Sequence, residues 1–266
     1  MNEAAAQPHG WLPLLKADWT RFIFVHYSLP PEILSPYTPL ELDCRDGQAF
    51  VRLVFFQFDK MRPARLLPDT LGGFLFRPAS DNWFLNVRTY VRGPVGPGIQ
   101  FLVEWMDNPI SLYLGPLLYG LPYCRGVFDC PMQGPNSRFD LWVTDAETKE
   151  SLLVSVAAGT EEGRQVDPSS LAGFLLEKYT AYTHHHGVSR FFNISHPHWN
   201  VVSGAVQGID DTLIGGRCLW FKHARLHSAH SAAGFRDVAM GRPHRLGQDL
   251  RDCGPMLNVQ PTTGFQ

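Results

Sequence analysis

The chain has 266 residues, of which 44% are hydrophobic and 18% charged, and its formal net charge is −2. This composition is typical of a compact globular protein and excludes a disordered one. The near-neutral charge gives no general attraction to nucleic acid or acidic membranes, and the length allows one large domain or two small ones.

Sequence patterns typical of strands occur along most of the chain. Alternating or continuous apolar runs predict strands at 21–27, 49–56, 84–92, 99–106, 139–144, 152–157, 188–194, 199–206 and 216–223. Turn signals separate them at Asp46-Gly47, in the glycine- and proline-rich segment 93–98 and at 134–136. About nine strands with few helices predict a mainly β (α+β) protein with a curved or closed antiparallel sheet.

Helix patterns are fewer. An apolar stripe predicts a helix over 168–182, with Asp167 or Ser169 as its cap, and the pair Pro30-Pro31 predicts a short helix over 32–34. No linker or repeat interrupts the chain. We therefore expect a single domain over 1–246 and an irregular, peripheral tail over 247–266.

Cysteine usage and the N-terminus predict a cytoplasmic protein. The five cysteines are odd in number, widely spaced and form no CxxC pair, so we expect reduced thiols rather than a disulfide framework. The first ten residues carry an acid and no apolar core, which predicts no signal peptide. No apolar run approaches the length of a membrane span.

Arg88 is the best single indication of a site. It lies within the 84–92 strand, and period-two alternation places Phe84, Asn86 and Tyr90 on the same face. A guanidinium keeps its charge in a protein, so an enclosed one needs a carboxylate, a carbonyl or an anionic ligand beside it. The alternatives are an ordinary structural ion pair and an edge-strand arginine in water.

Motifs of the common enzyme classes are absent. The sequence has no GxGxxG before a helix, no phosphate loop, no GxSxG and no HExxH, which disfavours nucleotide-dependent enzymes, serine hydrolases and zinc proteases. The run His184-His185-His186 is interpreted as an exposed helix end. The pair His196 and His198 lacks a nearby third ligand, so we expect no metal and no cofactor.

Six short motifs, taken in order, resemble the uncharacterised DUF2071 or YqjF-like family of the acetoacetate decarboxylase-like superfamily. They are Phe24-Val-His-Tyr27 followed by Pro30, Asp46-Gly-Gln-Ala-Phe-Val51, Asn86-Val-Arg-Thr-Tyr-Val91, Gly120-Leu-Pro-Tyr123, Phe174-Leu-Leu-Glu-Lys-Tyr179 and His196-Pro-His-Trp199. The resemblance covers roughly residues 12–245. One departure is His198, where the family pattern has a second proline.

The resemblance implies a cone-shaped antiparallel β-barrel that encloses an apolar pocket, with a few peripheral helices. The best-known member of the superfamily decarboxylates a β-keto acid through a lysine Schiff base. Here the position of that lysine is Tyr123, the adjacent lysine is replaced by Cys124, and an expected glutamate is replaced by Phe84. A tyrosine cannot form the imine, and none of the five lysines has a matching context, so we expect no Schiff-base chemistry.

The same alignment suggests which side chains face the pocket. Arg88 and Tyr123 are the catalytic candidates, Arg88 for a carboxylate or enolate and Tyr123 as a proton donor. Trp105 is expected to line the wall while Glu104 faces away. The candidate substrate-binding residues are Phe84, Asn86, Tyr90, Trp105, Leu121, Arg125 and His196.

These residues predict an enzyme on a carbonyl or carboxylate substrate that uses acid–base or enolate chemistry. Aldol-type condensation, dehydration, isomerisation and cyclisation all fit. A non-catalytic small-ligand-binding protein on the same fold is the main alternative, and a purely structural Arg88 is the third. The expected partner is a small molecule, with no nucleic acid or membrane, and the sequence leaves a homo-oligomer open.

Overall fold

The computed structural model describes residues 12–65, 68–130, 138–159 and 162–247, in which strands dominate. The fourteen strands of these ranges are β1 Pro13–Leu29, β2 Glu41–Leu42, β3 Ala49–Pro63, β4 Asn82–Gly93, β5 Gly96–Met106, β6 Tyr123–Asp129, β7 Arg138–Asp145, β8 Ser151–Ala158, β9 Arg164–Gln165, β10 Thr180–His185, β11 Val188–Ser195, β12 Asn200–Asp210, β13 Arg225–Gly241 and β14 His244–Arg245. The helices are α1 Pro31–Leu34, α2 Asp69–Phe76, α3 Pro109–Tyr119, α4 Leu171–Leu176 and α5 Thr212–Arg217. No helix of this part of the chain is long and apolar enough to cross a membrane.

Eight of the nine predicted strands are present, and the short helix after Pro30 is α1. The predicted strand at 216–223 is wrong, because this segment is the end of α5 followed by a 3-10 helix at Leu219–His223. Its apolar run buries Trp220 and Phe221 in the core from a helical turn, and a short apolar run does not distinguish these two cases. The turn predicted at 134–136 and all but the first residue of the predicted tail lie outside the described residues.

The long helix predicted over 168–182 is also wrong. Only α4 is helical, and the chain leaves it at Glu177, whose carboxylate accepts a hydrogen bond from the Trp199 backbone N–H at 2.8 Å. Residues 180–182 then enter β10, between β5 and β11. The histidine run accordingly ends β10 and begins the following turn instead of ending a helix. Tertiary pairing has overridden the local helical pattern here.

The sheet closes into two rings, because two of its strands, β5 and β13, each pair with three other strands. β5 pairs with β4 along its length, with β10 near its start and with β6 near its end. β13 pairs with β1 along its length, with β12 near its start and with β11 near its end. One ring of strands therefore runs β5-β6-β7-β8-β12-β13-β1-β3-β4, and a second runs β5-β10-β11-β13-β1-β3-β4. Both β5–β6 and β5–β10 are parallel, so the sheet is mixed and not purely antiparallel as expected.

The five strands shared by both rings have a separate core on each face. On β4, Leu85 and Val87 belong to the core of the first ring, whereas Phe84 and Tyr90 belong to that of the second. This is the period-two alternation predicted for the strand. Arg88 and Asn86 therefore face the interior of the second ring, which α2, α3 and α4 help to enclose.

Candidate functional site

A cavity of about 400 Å³ lies inside the second ring. Its wall is mainly aromatic, with Phe22, Phe56, Phe84, Phe101 and Phe192 contributed by five different strands. Helix α2 contributes Phe76 and α3 contributes Ser111, Leu114, Gly115 and Leu118. Outside α3, four side chains of this wall carry a charged, amide or phenol group: Asn86, Arg88, Glu104 and Tyr123. Trp19 adds a buried indole N–H that has no hydrogen-bond partner among the described residues.

The four polar side chains come from three neighbouring strands. Asn86 of β4 is directly opposite Glu104 of β5, which is directly opposite Tyr123 of β6. Arg88 follows Asn86 on the same face of β4. Directly opposite side chains in a sheet lie within contact distance. A guanidinium, a carboxyl, an amide and a phenol are thus brought to one part of an apolar cavity.

Arg88 is 7% exposed and has no carboxylate within 4.0 Å among the described residues. Its Nε is buried without a hydrogen-bond partner. Directly opposite on β3 is a second buried arginine, Arg52, which donates to the Leu175 carbonyl at 2.6 Å. Burial, and then the Arg52 charge, lower the pKa of Arg88, yet a guanidinium stays charged in proteins. Arg88 is not an edge-strand arginine in water, and it makes no ion pair within 4.0 Å in the described chain; the Glu104 carboxyl interacts with its charge at longer range.

Glu104 lines the cavity, contrary to the expectation that it would face away, and is 2% exposed. Its Oε2 has no hydrogen-bond partner in the described structure. Burial raises the pKa of this carboxyl well above its ordinary value, and the Arg88 charge opposes part of that rise. A carboxyl in such surroundings is protonated more readily and, once ionised, is a stronger base than one in water.

Trp105 is the residue that faces away. It is completely buried in the other core, and its indole N–H donates to Asp145 Oδ2 at 2.9 Å. The cause is a bulge in β5: Val87 is opposite Val103 but Arg88 is opposite Phe101, so Leu102 is the extra residue. An extra residue reverses the alternation beyond it. Phe101 and Glu104 consequently face the cavity together. Without the bulge, two residues three positions apart would point to opposite faces of the strand.

Tyr123 lines the cavity as predicted, and its hydroxyl has no hydrogen bond among the described residues. Burial raises its pKa well above the ordinary value, and Glu104 adds to the rise, so the phenol stays a donor. The ring packs against Phe84 with centroids 6.0 Å apart. Its place depends on Gly115 of α3, because a Cβ there would overlap the Tyr123 ring.

Gly115→Ala tests that close approach. Alanine normally stabilises a helix interior by up to about 1 kcal/mol relative to glycine. Here we expect a loss of about 1–3 kcal/mol, because the methyl group displaces Tyr123 in a packed site. Chemical denaturation followed by circular dichroism measures the difference. Gly73→Ala in α2 is the matched control, since a Cβ there meets no atom within 4 Å, and it should be neutral or stabilising. Equal effects of the two substitutions would contradict the assigned contact.

The remaining predicted site residues divide between wall and surroundings. Phe84, Asn86 and Leu121 line the cavity. Tyr90 is buried on the same face but lies outside the lining, and its hydroxyl donates to the Leu175 carbonyl at 2.7 Å. Arg125 is exposed, because β6 belongs to the first ring alone and α3 covers its outer face only near Tyr123.

His196 does not line the cavity either. Its ring is stacked on Phe235 with centroids 5.3 Å apart, close to Trp199, and its Nδ1 is 2.7 Å from the Pro197 carbonyl oxygen. Burial lowers the pKa of His196 to about 4. The imidazole is therefore neutral at pH 7 and packs against the aromatic residues of the second core. None of the described residues that line the cavity is a lysine.

Solved structures share this architecture over most of their length. Acetoacetate decarboxylase from Legionella pneumophila matches 93% of this chain and 90% of its own, with a TM-score of 0.60 and 11% identity. An acetoacetate decarboxylase-like enzyme from Sphingomonas wittichii RW1 matches 91% and 99%, with a TM-score of 0.60 and 14% identity. The enduracididine biosynthesis enzyme MppR matches 88% of each chain, with a TM-score of 0.59 and 16% identity. The protein thus has the acetoacetate decarboxylase-like fold, as the sequence motifs implied.

A narrower relationship holds at the level of sequence. The model of DUF2071, a family of uncharacterized conserved proteins, matches residues 16–235, and the chain belongs to this family. The uncharacterized protein YqjF of Bacillus subtilis (strain 168) is 26% identical over 188 residues, which cover 70% of this chain and 74% of YqjF. The family expected from the six motifs is confirmed.

Proposed function

We propose that the protein is an enzyme that binds a small carbonyl or carboxylate substrate in the cavity and acts on it by acid–base or enolate chemistry without a lysine imine. The observation that carries the proposal is the adjacency, in an apolar cavity, of Arg88 and Glu104: among the described residues Arg88 has no carboxylate within 4.0 Å, and Glu104 Oε2 has no hydrogen-bond partner. Buried charged groups in this condition are costly, and active sites are where such cost is retained.

Each group has a role that follows from its chemistry. Arg88 binds the substrate carboxylate, or the oxygen of an enolate, through paired N–H donors. Glu104, once ionised, removes a proton from the carbon next to the carbonyl group. The electron pair of that C–H bond moves to the carbonyl oxygen, where the Tyr123 hydroxyl donates a hydrogen bond to the developing enolate. The Asn86 amide orients the bound oxygen atoms.

The ligands of one structural neighbour support an oxo acid as a candidate substrate. MppR, at 14% identity and a TM-score of 0.58, has been solved in complex with pyruvate. It has also been solved with the condensation product of pyruvate and imidazole 4-carboxaldehyde. Because such a distant likeness establishes the fold alone, these ligands support an oxo acid as a candidate substrate here without identifying one.

Proton exchange tests the chemistry without knowledge of the final product. Oxo acids incubated with the protein in D₂O should lose the NMR signal of the C–H next to the carbonyl faster than without protein, and Glu104→Gln should abolish the acceleration. Tyr123→Phe should reduce the acceleration at least tenfold, since the loss of one oxyanion donor typically costs about 10²–10³ in rate. Tyr119→Phe is the matched control, because Tyr119 also lines the cavity but its hydroxyl donates to the Gly241 carbonyl at 3.2 Å.

The alternative of a non-catalytic binding protein gives a different result. Oxo acids would then raise the melting temperature without any acceleration of exchange, and Tyr123→Phe would leave the binding affinity almost unchanged. Borohydride treatment with acetoacetate tests the rejected imine separately. The mass of the protein should stay constant, and an adduct on any lysine would show that Schiff-base chemistry has been retained.

A further inference from the structure

We infer that the ligand of this site is an amphipathic monocarboxylate, with one acidic head at Arg88 and a medium-length aliphatic or aryl tail along the aromatic wall. The inference rests on the proposed function, since it takes Arg88 as the residue that binds an acid. It adds the chemical class and size of the rest of the molecule.

The charged groups lie at one end of the cavity. The charged side chains in its wall are Arg88 and Glu104, on adjacent strands. Beyond Arg88 the same face of the sheet continues to Arg52 and then to His26, each directly opposite the next and each buried outside the cavity wall. This end is thus closed by packed side chains, and a ligand whose head reaches Arg88 must extend in the other direction.

The other direction has no charged side chain in the cavity wall. It includes Trp19, opposite Phe58, whose indole N–H is buried without a hydrogen-bond partner in the described structure. Strand β3 lines the cavity from Phe56, which is opposite Phe84, through Phe58 and Met61 to Pro63. At about 3.3 Å per residue, those seven steps correspond to roughly 20 Å of strand. Acids of two or three carbons would occupy the Arg88 end and leave the aromatic wall uncovered. A hydrophobic tail would fill it and gain the transfer free energy of leaving water.

The outer end offers nothing to a second charge. Its wall includes Leu14, Leu15, Met61, Pro63 and Met240, and the hydroxyl of Tyr119 near Met240 already donates to the Gly241 carbonyl. Leu118 of α3 lines the cavity and is 46% exposed, so the wall stays apolar up to the protein surface. A second carboxylate or a phosphate at the far end of a medium-length ligand would lie against this wall without a positively charged partner. Dicarboxylates and phosphate esters are therefore disfavoured relative to monocarboxylates.

The volume sets an upper limit. A cavity of about 400 Å³ lies near the lower end of the range of roughly 300–1,000 Å³ found for small-molecule pockets. The tail is accordingly of medium length, such as that of hexanoate, octanoate or 3-phenylpropanoate, and a long fatty acyl chain exceeds the space.

A chain-length series measures the tail directly on the unmodified protein. In isothermal titration calorimetry with acetate, butanoate, hexanoate and octanoate, we expect the affinity to increase about fourfold for each added methylene group. Octanedioate should bind at least tenfold more weakly than octanoate, and octylamine should not bind. A negative heat-capacity change that grows with chain length would identify burial of the tail.

The variant Met61→Gln tests where the tail binds, because it introduces a polar amide into the outer wall with a side chain of similar volume. It should weaken octanoate at least threefold and leave butanoate unchanged, whereas Met61→Leu should affect neither by more than twofold. Acids that bind through Arg88 with no dependence on chain length would overturn the tail and leave the proposed function standing. Absence of binding by every acid, in the wild type and in Arg88→Met alike, would remove the proposed function as well.

Discussion

Arg88→Met should weaken carboxylate binding at least tenfold while leaving the ligand-free protein as stable as the wild type, or more stable. The loss of affinity follows because charge-assisted hydrogen bonds to a bound anion contribute about 1.5–3 kcal/mol. The unchanged stability follows because Arg88 has no carboxylate within 4.0 Å in the described structure, stands directly opposite Arg52, and is affected more by the Arg52 charge than by Glu104. Removing a buried charge that has a like charge as neighbour relieves repulsion and desolvation.

Calorimetric titration with octanoate or an oxo acid measures the first effect, and thermal unfolding without ligand measures the second. Arg52→Met is the control, because this guanidinium donates to the Leu175 carbonyl and lies 5.2 Å from the centroid of the Phe24 ring. It should destabilise the protein by about 1–3 kcal/mol, because it removes the charge-assisted hydrogen bond to the Leu175 carbonyl and the contact of the guanidinium with the Phe24 ring. If Arg88→Met proved as destabilising as Arg52→Met, Arg88 would be a structural residue with a partner inside the protein.

The sequence predicted the position of Arg88 well because β4 is regular. Its alternation is unbroken from Phe84 to Tyr90, so one parity rule places Asn86 and Arg88 on the face of the second core. The rule also predicts Tyr90 on that face, which is correct. It does not tell where along the face the cavity ends, and Tyr90 lies beyond that end, under α4.

The exchange of Glu104 and Trp105 shows where alternation stops being informative. Neither residue type marks a bulge, and the extra residue, Leu102, is apolar like its neighbours. The bulge is determined by how β5 fits β4 on one side and its parallel partners on the other. Such a fit depends on residues distant in the chain. The carboxyl of the site was therefore assigned to the wrong face although its strand was predicted correctly.

The elements that enclose the site were harder to predict than its strands. Helix α3 contains Gly115 and Pro116 and is followed by Gly120, and these residues obscure its helical sequence pattern. Strand β13 consists largely of small and polar residues, although it joins both rings. Two of the family motifs meet in the structure, where Glu177 accepts from the Trp199 backbone N–H. Their order in the sequence identified the family without showing this contact.

The wild type should lose stability as the pH rises because of Glu104, and the variant Glu104→Gln should not show this loss. The folded-state pKa of Glu104 is raised by burial, so its contribution is fully present below the unfolded pKa of about 4.3. Above that pH the unfolded chain releases the proton first. The folded state therefore loses stability relative to the unfolded state until the pH passes the raised folded pKa.

The glutamine has no proton to lose, and its amide is close to the size of the protonated carboxyl. The free energy of unfolding of the variant should equal that of the wild type near pH 4. At pH 8 it should be larger by roughly 1–3 kcal/mol, which is the general cost of one unpaired buried polar group. Urea denaturation at a series of pH values measures the difference. Glu32→Gln, at an exposed position of α1, should give a curve parallel to the wild type. Parallel curves for Glu104→Gln would mean that Glu104 is paired in solution, and the proposed base would then have to be sought elsewhere in the cavity.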